Sequence, residues 1–450
     1  MGIFRAYDIR GVYGEDLTPD LAMRIGNAFG SLIGGRGRRA AVARDSRLSG
    51  PALEAAFKAG LMAAGCDAIE LGLQPTPLLY FAIAHFGLDG GAAVTASHNP
   101  PEYNGFKLCR EGAFSLTYES GIGEIERMAT GAGMALEPWT AVGRESAMEV
   151  RGAYSEFLRA KIRLGRGLRV VIDAGNGTCG FVGGLFEELG CEAEVLFPEP
   201  DGRFPNHIPN PLKEETLAHL KAEVVRRGAD LGIAFDGDGD RVGFVDERGN
   251  ALRGDVALMI FASDALRAHP GGEVLFDVAS SRAVADHIRR LGGRPSMIRV
   301  GHSYVMGELS RRGAILAGEL SGHYYFAEGY YGYDDGIFAA ARMAEILSRS
   351  DRPLSEIAAS LPKYASSPEE RIHCPDDRKF RVVEALRARL GAMGISLVTI
   401  DGVRAEFEDG WALVRPSNTE PALVLRFEAE TEEGLRRIRA LVEGELRGLL

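Results

Sequence analysis

Between Ala234 and Val245 the chain reads AFDGDGDRVGFV, which sets Asp236, Asp238 and Asp240 within five positions, separated by glycines. Carboxylates this close repel one another unless a cation neutralises them. Hard oxygen ligands of this kind suit Mg2+ or Ca2+. The glycines remove side-chain bulk, so the backbone can fold around an ion. A calcium EF-hand shares the D-x-D-x-D spacing and finds Glu247 at its twelfth place. Its sixth place requires glycine but holds Arg241, and the flanks LGIAF and VGFV read as strands rather than helices. A solvated acidic turn is also a poor account, because the loop follows an apolar strand directly. A Mg2+ site remains, with Arg241 beside it to hold an anion that the metal also touches.

A second stretch, VTASHNPPEYNGFK, places Ser97 next to His98 in a turn rich in Pro, Asn and Gly. Adjacent residues rarely present side chains to one another, so Ser97 and His98 make a poor catalytic dyad by position. The hydrolase elbow G-x-S-x-G is absent here. Combined with the acidic loop, the serine has another use. An Oγ carrying a phosphoryl group would add a metal ligand to the three aspartates, making Ser97 a phosphate relay. His98 and Lys107 would neutralise the phosphoryl charge in transit.

Three further stretches carry polar groups at the ends of apolar runs. VRPSNTEP offers Arg415, Ser417, Asn418 and Thr419, a guanidinium fork with short donors that suits a phosphate dianion. An ordinary turn has the same composition. GELSGH offers Glu319, Ser321 and His323. If strand geometry persists, Glu319 and Ser321 point the same way and can engage vicinal sugar hydroxyls. Tyr7 and Arg10 in RAYDIRG and His302 in VGHSYVM also fit structural roles, and for His302 taken alone the structural role is preferred. A competing signal is VVIDAGNGTCG, whose Gly175, Gly177 and Gly180 have the spacing of a dinucleotide fingerprint and would imply an NAD-dependent oxidoreductase. The expected acidic residue after the next strand is poorly placed, since EVLFPEPDG presents Pro198 before Glu199. A tight strand-helix turn is preferred.

These loops need elements to hold them. AAVARDSRLSGPALEAAFKAGLMAAGCDAIELG reads as strand, helix, strand around Asp45, and the same grammar returns around Asp173 and Asp277. Each strand is a short continuous apolar run, as in a sheet covered on both faces. The lengths imply parallel right-handed βαβ units. Each unit is followed by a second strand that ends in one of the motif loops, where open α/β sheets bind ligands. From about Glu370 the pattern changes to βαβββα, a smaller α+β domain with an antiparallel sheet. The expected class is therefore α/β, three similar mixed-sheet α/β domains plus a C-terminal α+β domain. The divisions are 1–145, 146–248, 249–365 and 366–450.

The composition agrees with a soluble multidomain protein. The chain has 450 residues, 46% hydrophobic and 26% charged. A net charge of -11 argues against a nucleic-acid partner, while local basic residues still permit an anionic substrate. No stretch resembles a signal peptide or a membrane span, so no membrane association is expected. The five cysteines, Cys66, Cys109, Cys179, Cys191 and Cys374, are widely spaced without a C-x-x-C pair. They read as reduced thiols in a cytoplasmic protein.

TASHNP, DGDGDR, GELSGH and RPSNTEP, in this order, resemble the α-D-phosphohexomutases, and the bacterial phosphomannomutase/phosphoglucomutase group in particular. FRAYDIRG, LSGP, PTPLLY, NPPEYNGFK, FPNHIPNP and YGYDDG extend the likeness over the whole chain. The resemblance implies four domains around a central cleft, the last acting as a lid. It implies that Ser97 is phosphorylated in the active enzyme and that Ser97, Asp236, Asp238 and Asp240 hold Mg2+. Glu319 and Ser321 would recognise sugar hydroxyls. Arg415, Ser417, Asn418 and Thr419 would hold the unreacting phosphate. Tyr7, Arg10, His98, Lys107, Arg241, His302 and His323 would surround the reacting centre, with His323, His98 and Lys107 as general acid/base candidates. The implied reaction interconverts hexose 1-phosphate and hexose 6-phosphate of mannose or glucose through a hexose 1,6-bisphosphate. A phosphoglucosamine mutase is the alternative within the class. Two positions depart from close relatives, which carry lysine where this chain has Ala279 and often where it has Met306. Arg299 or Arg282 is the expected substitute for the lost charge.

Overall fold

The computed structural model describes residues 2–417 and 421–450. Its first sheet has the strand order Ile9–Val12, Tyr103–Arg110, Gly90–Val94, Arg39–Arg44, Asp67–Leu73, Glu145–Ala147. The second runs Ala251–Leu252, Val242–Val245, Leu231–Phe235, Arg169–Asp173, Glu192–Leu196. The third runs Arg294–Ile298, Glu273–Asp277, Leu316–Gly318, Tyr324–Phe326.

One plan recurs in all three. A parallel βαβ unit is crossed by a helix, Gly50–Ala63, Val182–Glu188 or Arg282–Arg290. A third strand joins it in parallel, then reverses into an antiparallel partner. The pairs are Gly90–Val94 with Tyr103–Arg110, Leu231–Phe235 with Val242–Val245, and Leu316–Gly318 with Tyr324–Phe326. The three motif loops are therefore equivalent hairpin connections at the carboxyl ends of equivalent strands. The expected mixed-sheet α/β plan is what the chain adopts.

A continuous apolar core joins these three sheets. The helix Thr76–Phe86 buries Leu78, Leu79, Tyr80, Phe81, Ala82 and Ile83 completely. It packs against the helix Arg151–Lys161 through Tyr154 and Phe157, where the rings of Phe81 and Tyr154 meet edge to face at 5.3 Å. Burial of such side chains stabilises by roughly 1.5–3 kcal/mol each.

The C-terminal sheet is antiparallel, built around Ala422–Ala429, Gly410–Pro416 and Val403–Phe407, with the helices Asp376–Ala392 and Glu432–Arg447. It holds two strands more than the βαβββα expectation, Ala365–Ser366 and Ser396–Val398. Ser396–Val398 pairs with Val403–Phe407, and the Asp401–Gly402 turn, with Gly402 at φ 77, breaks the apolar run ISLVTIDGV in two. Among the described residues no helix is long and apolar enough to cross a membrane.

Candidate active site

Ser97 sits at the head of the first hairpin loop with a left-handed φ of 51° and is buried. Its N–H donates to Thr95 Oγ1 at 2.8 Å, and Thr95 donates to Asp45 Oδ2 at 2.8 Å. Arg47, wholly buried, holds the loop from behind. It donates to the carbonyls of Ser97, Asn99, Pro100 and Tyr103 at 2.6–2.9 Å and pairs with Asp45 at 3.0 Å. The expectation that Ser97 and His98 would not meet is overturned. The left-handed turn swings the two side chains together, and Ser97 Oγ lies 3.0 Å from His98 Nδ1.

The second hairpin brings the acidic loop against this serine. Ser97 Oγ donates to Asp236 Oδ2 at 2.5 Å. The approach is close because position 237 is glycine, where a Cβ would lie 2.6 Å from the Ser97 carbonyl. The glycine fingerprint supports the same loop. Thr178 N–H and Oγ1 both donate to the Gly237 carbonyl at 3.1 Å, so the acidic-loop backbone takes the place a pyrophosphate would need. Thr76, from the first domain, donates to Asp238 Oδ2 at 2.6 Å.

Asp236, Asp238 and Asp240 are buried, and one oxygen of each lies within 4.8 Å of the others. Asp238 Oδ1 and Asp240 Oδ1 have no hydrogen-bond partner among the described residues. Buried lone pairs without partners, on a set of hard oxygens, fit a divalent cation. The Lys107 ammonium bonds Asp240 and lies 2.7 Å from Asp238. Burial works against its charge, but these carboxylates hold it firmly protonated. Burial, then Asp238 and Asp240, push Asp236 well above the usual carboxylate range. Burial also opposes the charge on Asp240, but Lys107, His323 and Arg241 outweigh it and hold that carboxyl well below its usual range.

His323, from the third hairpin, completes the cluster. Its Nδ1 lies 2.8 Å from Ser321 Oγ and 3.3 Å from Glu319. Its Nε2 faces Arg241 Nε at 3.2 Å, Asp240 at 3.6 Å and Asp334 at 3.8 Å. Burial and Arg241 disfavour its charge, yet Asp240 and Glu319 prevail and raise it to about 9. A bond from Arg241 Nε requires the neutral ring, whereas the carboxylates favour the cation. We favour the cation, since three carboxylates face one guanidinium. His98 is driven the other way by burial, Arg241 and Arg10, well below its usual range.

Glu319 and Ser321 converge on His323 Nδ1, at 3.3 and 2.8 Å, although not through strand alternation. Strand geometry stops at Gly318, and residues 319–323 close a turn in which Glu319 N–H donates to the His323 carbonyl at 3.0 Å. Glu319 turns inward, accepting from Gly301 N–H at 2.7 Å and Tyr325 OH at 2.8 Å, while Ser321 is half-buried. The Gly301 bond fixes the start of the helix His302–Arg312. His302 stacks on His323 at 6.1 Å and meets the edge of Tyr7 at 5.2 Å. Tyr7 is pushed up to about 12 by burial and Asp8. Arg10 reaches Asp8 at 2.8 Å and Asn99 at 3.1 Å.

Arg415, which interacts with Tyr7, is buried with Nε and Nη1 lacking hydrogen-bond partners among the described residues, and Asp401 lies 3.5 Å away. Ser417 is buried beside it, its carbonyl held by Lys379 at 2.6 Å. Asn418 and Thr419 lie outside the described residues. Ala279 packs under Trp411 and Leu413, and Met306 lies in the core, so both departures from lysine are apolar packing positions. Arg282 turns to the Glu408 carbonyl at 3.2 Å and away from the cleft. Arg299 lies 3.7 Å over the Tyr304 ring with a buried, unpartnered Nε.

Sequence reasoning missed Arg47, Thr76 and Asp334. All three lie within stretches that carry the resemblance or flank it, ARDSRLSGP, PTPLLY and YGYDDG, but nothing in residue type marks them as facing the site. Asp334 is wholly buried, pushed up to about 7 by burial and Asp240.

Four family profiles match the chain in order. Phosphoglucomutase/phosphomannomutase, alpha/beta/alpha domains I, II and III match residues 1–132, 152–249 and 253–364, and the C-terminal domain matches 369–444. The chain belongs to the phosphoglucomutase/phosphomannomutase family of α-D-phosphohexomutases. It is 43% identical to a phosphomannomutase/phosphoglucomutase of Pseudomonas aeruginosa, over 99% of this chain and 96% of that protein. It is 43% identical to a phosphoglucomutase of Neisseria gonorrhoeae, over 97% and 95%. A probable phosphoglucosamine mutase of Methanopyrus kandleri is 38% identical, over 97% and 96%. A crystal structure of a phosphoglucomutase/phosphomannomutase family protein from Burkholderia thailandensis superposes with a TM-score of 0.91 at 41% identity, over 99% and 97%.

Proposed function

We propose that the protein interconverts the 1- and 6-phosphates of mannose and glucose, with Ser97 as the phosphoryl carrier. The observation that carries this reading is the meeting of Ser97 Oγ with Asp236 at 2.5 Å, beside two buried unpartnered carboxylate oxygens. The names of the relatives at 43% identity support the same chemistry and favour it over a phosphoglucosamine mutase.

In the first half-reaction the sugar hydroxyl oxygen bonds to phosphorus, the bond from phosphorus to Ser97 Oγ breaks, and the hydroxyl proton passes to a side chain of the site. The resulting hexose 1,6-bisphosphate turns end over end and returns its other phosphoryl to Ser97. His98, in contact with Ser97 Oγ, serves the serine side of the transfer. His323 and Lys107, both charged, serve the sugar side as donors to the transferring oxygens, and the hydroxyl proton passes to the neutral His98. Arg241, Arg10 and Tyr7 flank the phosphoryl, and Arg415 with Ser417, Asn418 and Thr419 holds the unreacting phosphate. Ser321 contacts the hexose, and Glu319 does so by orienting the turn around it. Asp236, Asp238, Asp240 and Ser97 would hold Mg2+, which neutralises phosphoryl charge. We keep the divisions at 145, 248 and 365 as the units that carry the serine, metal, sugar and phosphate loops, and place the enzyme in the cytoplasm with its sugar-phosphate substrates.

The test is incubation with glucose 1-phosphate or mannose 1-phosphate, Mg2+ and a trace of hexose 1,6-bisphosphate. The 6-phosphate is the expected product. Binding without interconversion would overturn the reading.

A further inference from the structure

We infer that Asp334 is a positioning residue for the imidazole pair His302 and His323, fixing the orientation with which His323 meets the sugar. The inference rests on the function proposed above and deepens it.

Asp334 is wholly buried, and neither carboxylate oxygen has a hydrogen-bond partner among the described residues. His302 is 4% exposed, and neither of its ring nitrogens has one. An unpaired buried polar group is costly, because it has given up water without gaining a partner. Groups of this kind need a partner in some working state of the protein. Asp334 Oδ2 lies 3.8 Å from His302 Nδ1 and 3.8 Å from His323 Nε2. The rings are close to parallel, at 28°. One carboxylate therefore faces one nitrogen of each imidazole at equal range, slightly too long for a bond. Contacts of this length commonly tighten only when substrate is bound.

The surroundings leave Asp334 little freedom to face elsewhere. Asp335 caps the helix Gly336–Ser348 by accepting from Phe338 N–H at 2.8 Å. It also takes the hydroxyls of Tyr154, at 2.8 Å, and Tyr330. Gly336 N–H donates to the Gly239 carbonyl of the acidic loop at 3.2 Å, and a Cβ at 336 would lie 2.7 Å from that oxygen. Asp334 is thus held in register with the aspartates. On the opposite side, Ser321 and Glu319 hold His323 Nδ1, and Glu319 also holds Gly301 before His302. At His323 Nε2, Asp334 at 3.8 Å stands with Asp240 at 3.6 Å and Arg241 Nε at 3.2 Å, and Asp334 alone of these carboxylates also faces His302 Nδ1.

The test is Asp334→Asn, which keeps shape, removes the negative charge and turns one of the two acceptor oxygens into a donor. In the full-length enzyme with Mg2+, kcat on glucose 1-phosphate should fall about 10- to 100-fold while KM stays within about twofold. Imidazole nitrogen–proton correlation spectra, with the His323 signals assigned through His323→Gln, should show shifted ring-nitrogen resonances at His323. Unchanged kcat, or unchanged His323 signals, would overturn the inference. A lower melting temperature with both readouts intact would mean a structural role only and would also overturn it. If the wild type fails to convert glucose 1-phosphate, the functional reading falls, and the spectra still decide the role of Asp334.

Discussion

Ser97 Oγ and Asp236 Oδ2 are 2.5 Å apart although they belong to two different sheets. The contact exists because two equivalent hairpin loops, 95–102 and 236–241, converge head to head. Glycine at 237 lets the backbones touch. The serine is thereby placed at the edge of a carboxylate cluster whose lone pairs are not all used.

The carboxylate cluster makes a direct prediction. Asp238→Asn should weaken Mg2+ binding about tenfold or more, since one hard anionic ligand of three is lost. Isothermal titration of the purified chain measures this. An unchanged affinity would place the ion elsewhere.

Arg47 makes a prediction about stability. Its guanidinium satisfies four carbonyls of the serine loop and pairs with Asp45 in full burial. Arg47→Met leaves Asp45 uncompensated and should cost about 3–5 kcal/mol in urea unfolding, because removing one member of a buried pair strands the other. Turnover should fall as well, since the loop that shapes Ser97 loses its support.

The two arginines proposed to replace lost lysine charge are distinguishable. Arg299 stands over Tyr304 with an open Nε, whereas Arg282 faces the Glu408 carbonyl. Arg299→Ala should raise KM for glucose 1-phosphate about three- to tenfold, as a charge-assisted contact is lost. Arg282→Ala should leave KM unchanged. Steady-state kinetics on both variants decide between them.

A pH effect follows from His207, whose Nε2 lies 3.0 Å from Asp173. Burial opposes its charge, but the Asp173 bond prevails and raises it above the usual imidazole range. A raised folded value means the bridge stabilises fully below about pH 6.5, the unfolded value, and is lost as pH rises through the folded one. The stability difference between the wild type and His207→Gln should therefore shrink from pH 6 upward. Urea midpoints across that range measure it.

Much of this site was legible in residue type and spacing. Asp236, Asp238 and Asp240 stand out because carboxylates at that density repel one another unless a cation sits among them, and each motif loop follows an apolar strand. What was not legible depends on backbone turns. The meeting of Ser97 with His98 comes from a single left-handed residue. Glu319 faces inward because its strand ends one residue earlier than the alternation implies. Arg47 and Thr76 act across 50 and 162 positions of sequence, on Ser97 and Asp238, and no local pattern encodes such contacts. Ala279 looked like a missing charge, and the fold shows an apolar seat for Trp411.

The account stands or falls on phosphate at Ser97. The wild type and Ser97→Ala should be incubated with labelled hexose 1,6-bisphosphate, digested and mapped, and both should be assayed on glucose 1-phosphate. The account predicts label on Ser97 that chases into hexose phosphate, and about a thousandfold or greater loss of turnover in the folded variant. Near-normal turnover without that hydroxyl, or turnover of the wild type with no label ever reaching it, would contradict the account.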